Sequence, residues 1–333
     1  MKKFLAANSF VFSIAVVVLA AAIFPELGSS QSILPVRTLK GLGVFLIFFN
    51  QGVLLPGEEV RQGFLEGKLH ALVQITTYLF FPVLVFMVLW GASGFFTQPD
   101  LRMGFLYLAF LPTTVSSAVA LTSIADGNVS GALFNCALSS IIGVFLVPLL
   151  CIVFLNQGGA ESQMEILSIL RTVSLMLLLP LAVGQAARPV LKKSFSTHKK
   201  GIKGFNNGVI LFIIWAAFCQ SFLRNVWNQV SAWDLGVSVA LAAFVLLMAS
   251  AFVWGMSAKL RLPPPSRITA LFCGSQKSIA MGLPLSAMIF SGHTGSRVEL
   301  SLLVLPLMIY HPMQLIFAGW ILPRLQRYAV QKR

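Results

Sequence analysis

One short stretch decides how this chain must fold: Phe272-Cys273-Gly274-Ser275-Gln276-Lys277-Ser278. It interrupts the apolar run 268–290 with a glycine, a lysine and three other polar side chains. Inside a bilayer a charge of this kind is costly, and it usually marks a transport path or a partner. A polar, glycine-containing break between two apolar halves is typical of a discontinuous transmembrane helix. The stretch therefore predicts a broken membrane span with Lys277 inside it.

The composition excludes a soluble globular domain. Hydrophobic residues make up 57% of the 333 residues, charged residues 10%, and the mean hydropathy is +0.86. These values are those of a polytopic membrane protein. The net charge of +14 would favour nucleic-acid binding in a soluble chain, but here the basic residues fall in short connections between apolar runs. Such placement is a topology signal, so we expect the lipid bilayer as a partner and no nucleic acid.

Ten apolar stretches are long enough to cross about 30 Å of hydrocarbon at about 1.5 Å of rise per residue. They lie near residues 9–24, 39–55, 70–90, 104–124, 129–155, 166–187, 207–223, 235–257, 268–290 and 299–322. The sequence thus predicts an all-α polytopic membrane protein with ten transmembrane helices. The first stretch follows Lys2-Lys3 and also resembles a secretory signal peptide, whose removal would leave an odd nine spans. We favour a retained helix.

The distribution of basic residues predicts the orientation of the chain. With ten spans and both termini inside, 17 Lys and Arg residues fall in inner regions and 6 in outer connections, Lys277 being left out of the count. Cytoplasmic loops carry an excess of Lys and Arg. We therefore expect a multi-pass protein of the bacterial inner membrane with cytoplasmic N- and C-termini.

The two halves of the chain are expected to be inverted repeats. Five spans in residues 1–160 and five in residues 161–333 force opposite orientations on the halves. The fourth span of each half is interrupted, by Pro112-Thr113-Thr114-Val115-Ser116-Ser117 and by Gly274-Ser275-Gln276-Lys277-Ser278. We predict breaks near 113–117 and 274–278 that face each other near the midplane and form a binding site. For any single hydroxyl, the alternative is a bond to its own helix or to a neighbouring one.

These motifs resemble the bile acid:sodium symporter superfamily, and within it the SBF-like branch of bacterial YfeH-type proteins. The resemblance rests on the runs 111–122, 127–129 and 272–278, and it extends over essentially the whole chain. It implies a core domain of spans 3–5 and 8–10 and a panel domain of spans 1, 2, 6 and 7. It also implies that the two broken helices cross at the binding site.

The chain departs from the sodium-coupled members of that superfamily. The resemblance implies a glutamate where Phe272 stands, a glutamine where Thr77 stands, and hydroxyls where Ala132 and Cys136 stand. Sodium is a hard cation that prefers several oxygen ligands. We therefore predict weak or absent two-site sodium binding and no other cofactor. The one weak sodium site that we expect would be built from Thr77, Ser275 and Gln276.

Lys277 has two interpretations. In the first it is a built-in positive charge in place of a bound ion, held by backbone carbonyls at the C-terminal end of the first half-helix, and it attracts an anionic substrate. In the second its long stem lets the ammonium snorkel through a wet cavity toward an interface.

The candidate binding residues share a position in or near the two breaks or a polar side chain inside a span. They are Lys277, Gln276, Ser275, Ser278, Thr113, Thr114, Ser116, Ser117, Thr122, Thr77, Asn135 and His311. His311 lies beside Pro312 and is a weak candidate for a proton carrier, since a lone histidine beside a proline kink is more often a hydrogen-bonded packing residue. For Asn135 the alternative is a hydrogen bond between helices.

Three classes of function remain. The first is a secondary carrier of a small organic anion that works by alternating access. The second is a membrane regulator or sensor on the same fold, since the resemblance implies a link to calcium handling in some eukaryotic relatives. The third, an intramembrane enzyme, is disfavoured because the predicted spans hold no HExxH motif and no set of nucleophile, histidine and carboxylate. We expect a carrier and not an enzyme, and uptake into proteoliposomes separates the first class from the second.

Overall fold

The computed structural model describes residues 9–28, 34–54, 66–91, 94–96, 98–155, 163–291 and 298–331. Within these ranges the regular structure is entirely helical. The α-helices are α1 (Ser9–Ile23), α2 (Val36–Leu54), α3 (Gly67–Ile75), α4 (Phe81–Gly91), α5 (Pro99–Phe110), α6 (Val115–Ile124), α7 (Val129–Leu155), α8 (Gln163–Thr197), α9 (Lys199–Leu223), α10 (Ala232–Lys259), α11 (Pro264–Ser275), α12 (Ile279–Ser291) and α13 (Leu300–Gln331). Several basic residues used to predict the orientation, Lys2, Lys3, Arg61 and Arg297 among them, lie outside the described residues.

Five helical segments of the described chain are long and apolar enough to cross a membrane: Gly67–Gly91, Val129–Cys151, Lys200–Leu223, Ala232–Lys259 and Leu300–Gln331. A sixth is obtained if the bent pair Pro99–Phe110 and Val115–Ile124 counts as one span. Large apolar side chains point outward from these segments, including Trp90, which is 81% exposed, and Met87, Phe145 and Ile316. Contiguous exposed apolar surface of this kind suits contact with lipid rather than with water. The chain is therefore built as a multi-pass membrane protein.

Both predicted breaks are present, with boundaries that differ from the expected ones. Helix α5 ends at Phe110 and α6 begins at Val115, with a bend of 56° between them. The break lies N-terminal to the predicted range because Pro112 forces the residue before it, Leu111, into an extended conformation. Ser116 and Ser117 consequently belong to the first turn of α6 and not to the break.

The second break is shorter than predicted. Gly274 and Ser275 are the last residues of α11, and the chain leaves the helix at Gln276, whose φ of −93° and ψ of 144° are those of an extended strand. Helix α12 resumes at Ile279. The break therefore consists of Gln276, Lys277 and Ser278, without a proline to impose it.

A π-helical turn at Thr76–Phe80 separates α3 from α4. In this turn the N–H of Phe81 donates to the carbonyl of Thr76, five residues back. The next carbonyl, that of Thr77, would receive the N–H of residue 82 in the same pattern. Residue 82 is a proline and has no N–H to give. The sequence thus leaves the Thr77 carbonyl without a partner in its own helix, at the kind of π-bulge that often lies at functional sites.

The chain divides into two compact units. The first consists of Met1–Leu55, Gly159–Ser231 and Gly282–Val304, and the second of Pro56–Gly158, Ala232–Met281 and Leu305–Arg333. The second unit contains both breaks, together with a buried apolar cluster to which Leu69, Val73, Ile268, Phe272 and Leu325 contribute. The two breaks are therefore placed by one packed core.

In the first unit, α2 and α8 cross with their backbones in contact. A Cβ added at Gly184 would lie 2.2 Å from the carbonyl oxygen of Phe49, and one added at Gly52 would lie 2.2 Å from that of Leu181. No side chain fits at either distance. The two helices can come this close only because both positions are glycine.

This crossing generates the first prediction. Gly184→Ala should lower the thermal unfolding temperature of the detergent-purified protein, because the new methyl can be accommodated only by separating α2 from α8. Overpacking of this kind typically costs about 1–3 kcal/mol. Gly208→Ala is the matched control, since Gly208 also lies in a helix and a Cβ there meets nothing within 4 Å. Equal unfolding temperatures for the two variants would contradict the close crossing.

Candidate functional site

The ammonium group of Lys277 lies in a fully buried cage of backbone carbonyls. Its Nζ donates to the carbonyl oxygens of Thr77 at 3.0 Å, Ala109 at 2.8 Å and Leu111 at 2.8 Å, and the Lys277 side chain has no exposed surface. Three acceptors require three N–H donors, which the ammonium has and the neutral amine lacks. The geometry therefore calls for the charged form. The face of the Phe81 ring lies 4.1 Å from Nζ and adds a cation–π contact.

Each of these carbonyls is available because the local sequence removes its helical partner. The Thr77 carbonyl is left free by Pro82, as described above. Ala109 lies in the last turn of α5, and the N–H four residues on, that of Thr113, donates to Ser139 Oγ at 3.1 Å instead. Leu111 lies in the break itself. The C-terminal end of a helix carries partial negative charge, so α5 presents to the ammonium the end that favours a cation.

The backbone of Lys277 is held by α13. Its N–H donates to Gln314 Oε1 at 2.8 Å, and Gln314 Nε2 donates back to the Lys277 carbonyl at 3.1 Å. The same Nε2 lies 2.9 Å from His311 Nδ1. Tyr310, one turn earlier in the same helix, donates its hydroxyl to the carbonyl of Ser275 at 2.6 Å. These contacts satisfy backbone groups that a broken helix would otherwise leave unpaired in a dry interior.

The two breaks are in direct contact with each other. The N–H of Ser278 donates to the carbonyl of Pro112 at 2.9 Å, and Ser117 Oγ donates to Gln276 Oε1 at 2.8 Å. Ser278 Oγ in turn accepts the N–H of Met281 at 3.2 Å and so caps the start of α12. The expectation that the two breaks face each other thus corresponds to a direct contact within the second unit.

Some polar groups at this contact are left over. Gln276 is only 2% exposed, and its Nε2 has no hydrogen-bond partner among the described residues. The same holds for the fully buried hydroxyl of Thr113. Thr114 occupies the N-cap position of α6 but makes no side-chain cap, while Ser116 in the first turn is exposed. An uncapped helix N-terminus beside an unpaired amide donor is an arrangement that can bind an anion.

Other predicted site residues hold the helices together. The hydroxyls of Thr77 and Ser275 donate to carbonyls four residues back in their own helices, at 2.8 and 2.7 Å. Asn135 donates to Gly131 at 2.8 Å and accepts a bond from Gln74, which links α7 to α3. Thr122 lies in the last turn of α6, away from the break at its start, and its buried hydroxyl has no hydrogen-bond partner among the described residues. The contacts of Thr77, Ser275 and Asn135 are the ones expected of residues that bond within and between helices.

The interpretations of Lys277 need two corrections. Its carbonyl partners lie in the π-helical turn (Thr77), at the end of α5 (Ala109) and in the first break (Leu111), and not in the first half of its own broken segment. It does not snorkel, because its side chain is enclosed and all three N–H donors are occupied. Saturation of the donors also means that the ammonium could act on any bound solute only through its charge and not through a direct hydrogen bond.

Three of the four positions at which the resemblance implied sodium ligands are apolar in the structure, Thr77 being the exception. Phe272, Ala132 and Cys136 all belong to the buried apolar cluster of the second unit. Cys136 Sγ lies 3.9 Å from Cys273 Sγ and 3.4 Å from the carbonyl of Thr114. This part of the core therefore offers thiols and methyl groups where a hard cation would need oxygen.

Sequence reasoning missed several residues on which the site depends. Gln314, Tyr310 and Ser139 hold the breaks from neighbouring helices, and Phe81 and Pro82 complete the lysine cage. One signal was available: Pro82 stands five residues after Thr77, the spacing at which a π-turn lacks its donor. Gln314 and Tyr310 gave no comparable signal, because their partners lie 37 and 35 residues away.

Comparison with known proteins gives consistent matches over nearly the whole chain. The family model described as the SBF-like CPA transporter family matches residues 8–327. The Escherichia coli protein named "Putative symporter YfeH" is 32% identical over 331 residues, which cover 99% of this chain and 96% of that protein. Sodium/bile acid cotransporter 7-B of Xenopus laevis is 31% identical, with 97% and 93% covered. Sodium/bile acid cotransporter 7 of Rattus norvegicus is 30% identical, with 97% and 94% covered.

The hydrogen bonds between Gln314 of α13 and the backbone of Lys277 can be tested by substitution. Gln314→Leu should lower the free energy of unfolding by about 2–4 kcal/mol, since it leaves the N–H and the carbonyl of Lys277 buried without partners. Gln326→Leu is the control, because Gln326 lies in the same helix and its Nε2 donates at 2.9 Å to Ile124 from an exposed position. Thermal and chemical unfolding in detergent measure both. A Gln314→Leu protein as stable as the control would show that this contact does not hold the break.

Proposed function

This chain belongs to the SBF-like CPA transporter family, and from that premise we propose that it is a secondary carrier that moves a small organic anion by alternating access. Membership confirms the resemblance seen in the motifs, and it makes the chain an integral multi-pass membrane transporter rather than an enzyme. Two of the relatives are named as sodium/bile acid cotransporters. The substrate class, the binding residues and the coupling ion of this chain belong to the proposal.

The proposed architecture is ten spans in two inverted repeats, residues 1–160 and 161–333, with cytoplasmic termini in a bacterial inner membrane. Spans 3–5 and 8–10 would form the core domain and spans 1, 2, 6 and 7 the panel domain. The presence of both breaks in one compact unit supports a core that carries the site as a single piece. Alternating access in such carriers is largely a rigid-body movement of one bundle around a fixed site.

The observation that carries the anion proposal is the unpaired amide of Gln276 beside the uncapped start of α6. Ser117, in the first turn of α6, holds Gln276 Oε1 and so fixes the side chain with Nε2 left to donate. The amide groups at the start of a helix bear partial positive charge and point along its axis. A carboxylate, sulfonate or phosphate placed there would accept from Gln276 Nε2, from the α6 amides and from the Ser116 hydroxyl.

Lys277 supports the same charge preference from a distance. Its three donors are saturated by carbonyls, which are neutral, so its positive charge is not cancelled by these partners. In a dry interior such a charge acts over a longer range than it would in water. An anion at the break next to it is favoured, and a cationic substrate is disfavoured.

Coupling of transport to two sodium ions, as in the sodium-coupled members, does not suit the residues of this chain. Apolar residues occupy the positions of the implied carboxylate and hydroxyl ligands, and the Thr77 carbonyl is already bonded to Lys277. A single weak sodium site at Thr77, Ser275 and Gln276 remains the most that we expect. His311 bonds to Gln314, which favours its packing role over proton transfer.

Transport itself is tested by uptake into proteoliposomes. The probes are radiolabelled mono- and dicarboxylates together with taurocholate, assayed with an inward gradient of the probe and with either sodium or choline as the external cation. We expect saturable uptake of at least one anionic probe, and no uptake of choline or of neutral sugars. Uptake of neutral or cationic probes alone would contradict the anion proposal. Saturable binding without uptake would contradict a carrier and support a regulator or sensor.

A substitution at the break gives the sharper prediction. Gln276→Glu replaces the unpaired donor with a negative charge at nearly the same volume, so the efficiency of anion uptake should fall about tenfold or more. Gln326→Glu makes the same change at an exposed position and should leave uptake unaltered. Uptake rates at several probe concentrations measure both. Full activity of a folded Gln276→Glu protein would show that Gln276 does not bind the substrate.

A further inference from the structure

The cage around the Lys277 ammonium has the composition of a cation site. Its oxygens are three backbone carbonyls at 2.8–3.0 Å, contributed by two different parts of the chain. Carbonyl oxygens without a carboxylate suit monovalent cations, as in potassium-selective filters, whereas divalent cations are usually held by carboxylates. The Phe81 face supplies a further contact that favours a cation.

The carbonyls of the cage are freed from their helices by residues other than Lys277. Pro82 frees the Thr77 carbonyl, Ser139 diverts the amide that would bind Ala109, and Pro112 turns Leu111 out of the helix. The backbone of residue 277 is fixed by Gln314 rather than by its own side chain. Truncation of the side chain would therefore leave the carbonyls aimed at the space that the ammonium had filled.

We infer that Lys277 is a tethered cation: its ammonium permanently fills a buried monovalent-cation site, so the chain carries its own counter-charge for an anionic solute and needs no free alkali ion at that position. No residue of the cage has exposed surface: Thr77, Ala109, Leu111, Phe81 and Lys277 are all fully buried. The cage therefore excludes water, and its carbonyl dipoles act at low dielectric. Leaving the cage empty would strand three carbonyls, and a cation of suitable size would restore their partner.

The consequence for transport rests on the proposed function. If an anion binds at the break, a fixed positive charge takes the part that a co-transported cation would otherwise take, and uptake proceeds equally well in sodium and in choline. Removal of the fixed charge should make anion binding dependent on an added monovalent cation. The cation site itself is tested without any substrate, so its failure and the failure of the transport proposal are distinguishable.

The experiment uses the purified full-length chain and its Lys277→Ala variant. Thermal unfolding is followed while sodium, potassium or propylammonium chloride replaces choline chloride at constant ionic strength; propylammonium restores the atoms that the substitution removes. We expect at least one of these cations to raise the unfolding temperature of Lys277→Ala by several degrees in a saturable manner, and none to do so for the wild type. Lys277→Met, whose apolar stem fills the cage, is the matched control and should not respond.

A folded Lys277→Ala protein that responds to none of the three cations would overturn the inference. So would an equal response of Lys277→Ala and Lys277→Met, because that would place the effect away from the cage. If Lys277→Ala does not fold, Lys277→Gln serves in its place, since it removes the charge and its amide oxygen can join the carbonyls as a ligand for sodium. Anion-probe binding to Lys277→Gln should be lost in choline and restored by sodium; unchanged binding with an unchanged sodium response would refute the inference.

Discussion

The bonds between the Lys277 ammonium and three backbone carbonyls are the interaction on which the second unit depends. A broken helix in hydrocarbon is unstable unless every freed backbone group finds a partner, because water is not there to supply one. One side chain here satisfies carbonyls from the end of α5 and from the π-helical turn. It thereby ties three interrupted places in the chain to a single point. A lysine that seemed costly from the sequence is thus a means of making two broken segments compatible with a membrane.

Side chains of α13 pair the remaining backbone groups of the second break, whereas two side-chain groups at the contact between the breaks have no partner among the described residues. Gln314 and Tyr310 pair the groups on one side of the break. Gln276 Nε2 and Thr113 Oγ1 have no partner among the described residues, and the first turn of α6 has no side-chain cap. Native proteins pair nearly all buried polar groups, so each such exception, at this contact or elsewhere in the described chain, calls for an explanation. Binding of a polar solute at this contact is the explanation proposed here.

Much of this arrangement could be predicted from the sequence, and the part that could not has a physical reason. Pro112 and the run from Gly274 to Ser278 predict interrupted helices from local chemistry alone, and both interruptions are present. Their boundaries were misplaced because hydroxyl-rich residues such as Ser116 are compatible with a first helical turn as well as with a break. The partners of Lys277 lie 166 to 200 residues away in the chain. No periodicity or spacing reports a contact at that separation, so the sequence singles out the lysine but does not give its surroundings.

A tethered ammonium in the carbonyl cage should remain there whatever cation surrounds the protein. A density map of the protein in lipid nanodiscs, recorded once in sodium and once in choline, tests this. We expect continuous side-chain density from Lys277 to a point about 3 Å from the carbonyls of Thr77, Ala109 and Leu111, identical under both conditions. Density for a separate ion in the cage that appears only in sodium, with the lysine side chain directed elsewhere, would contradict it.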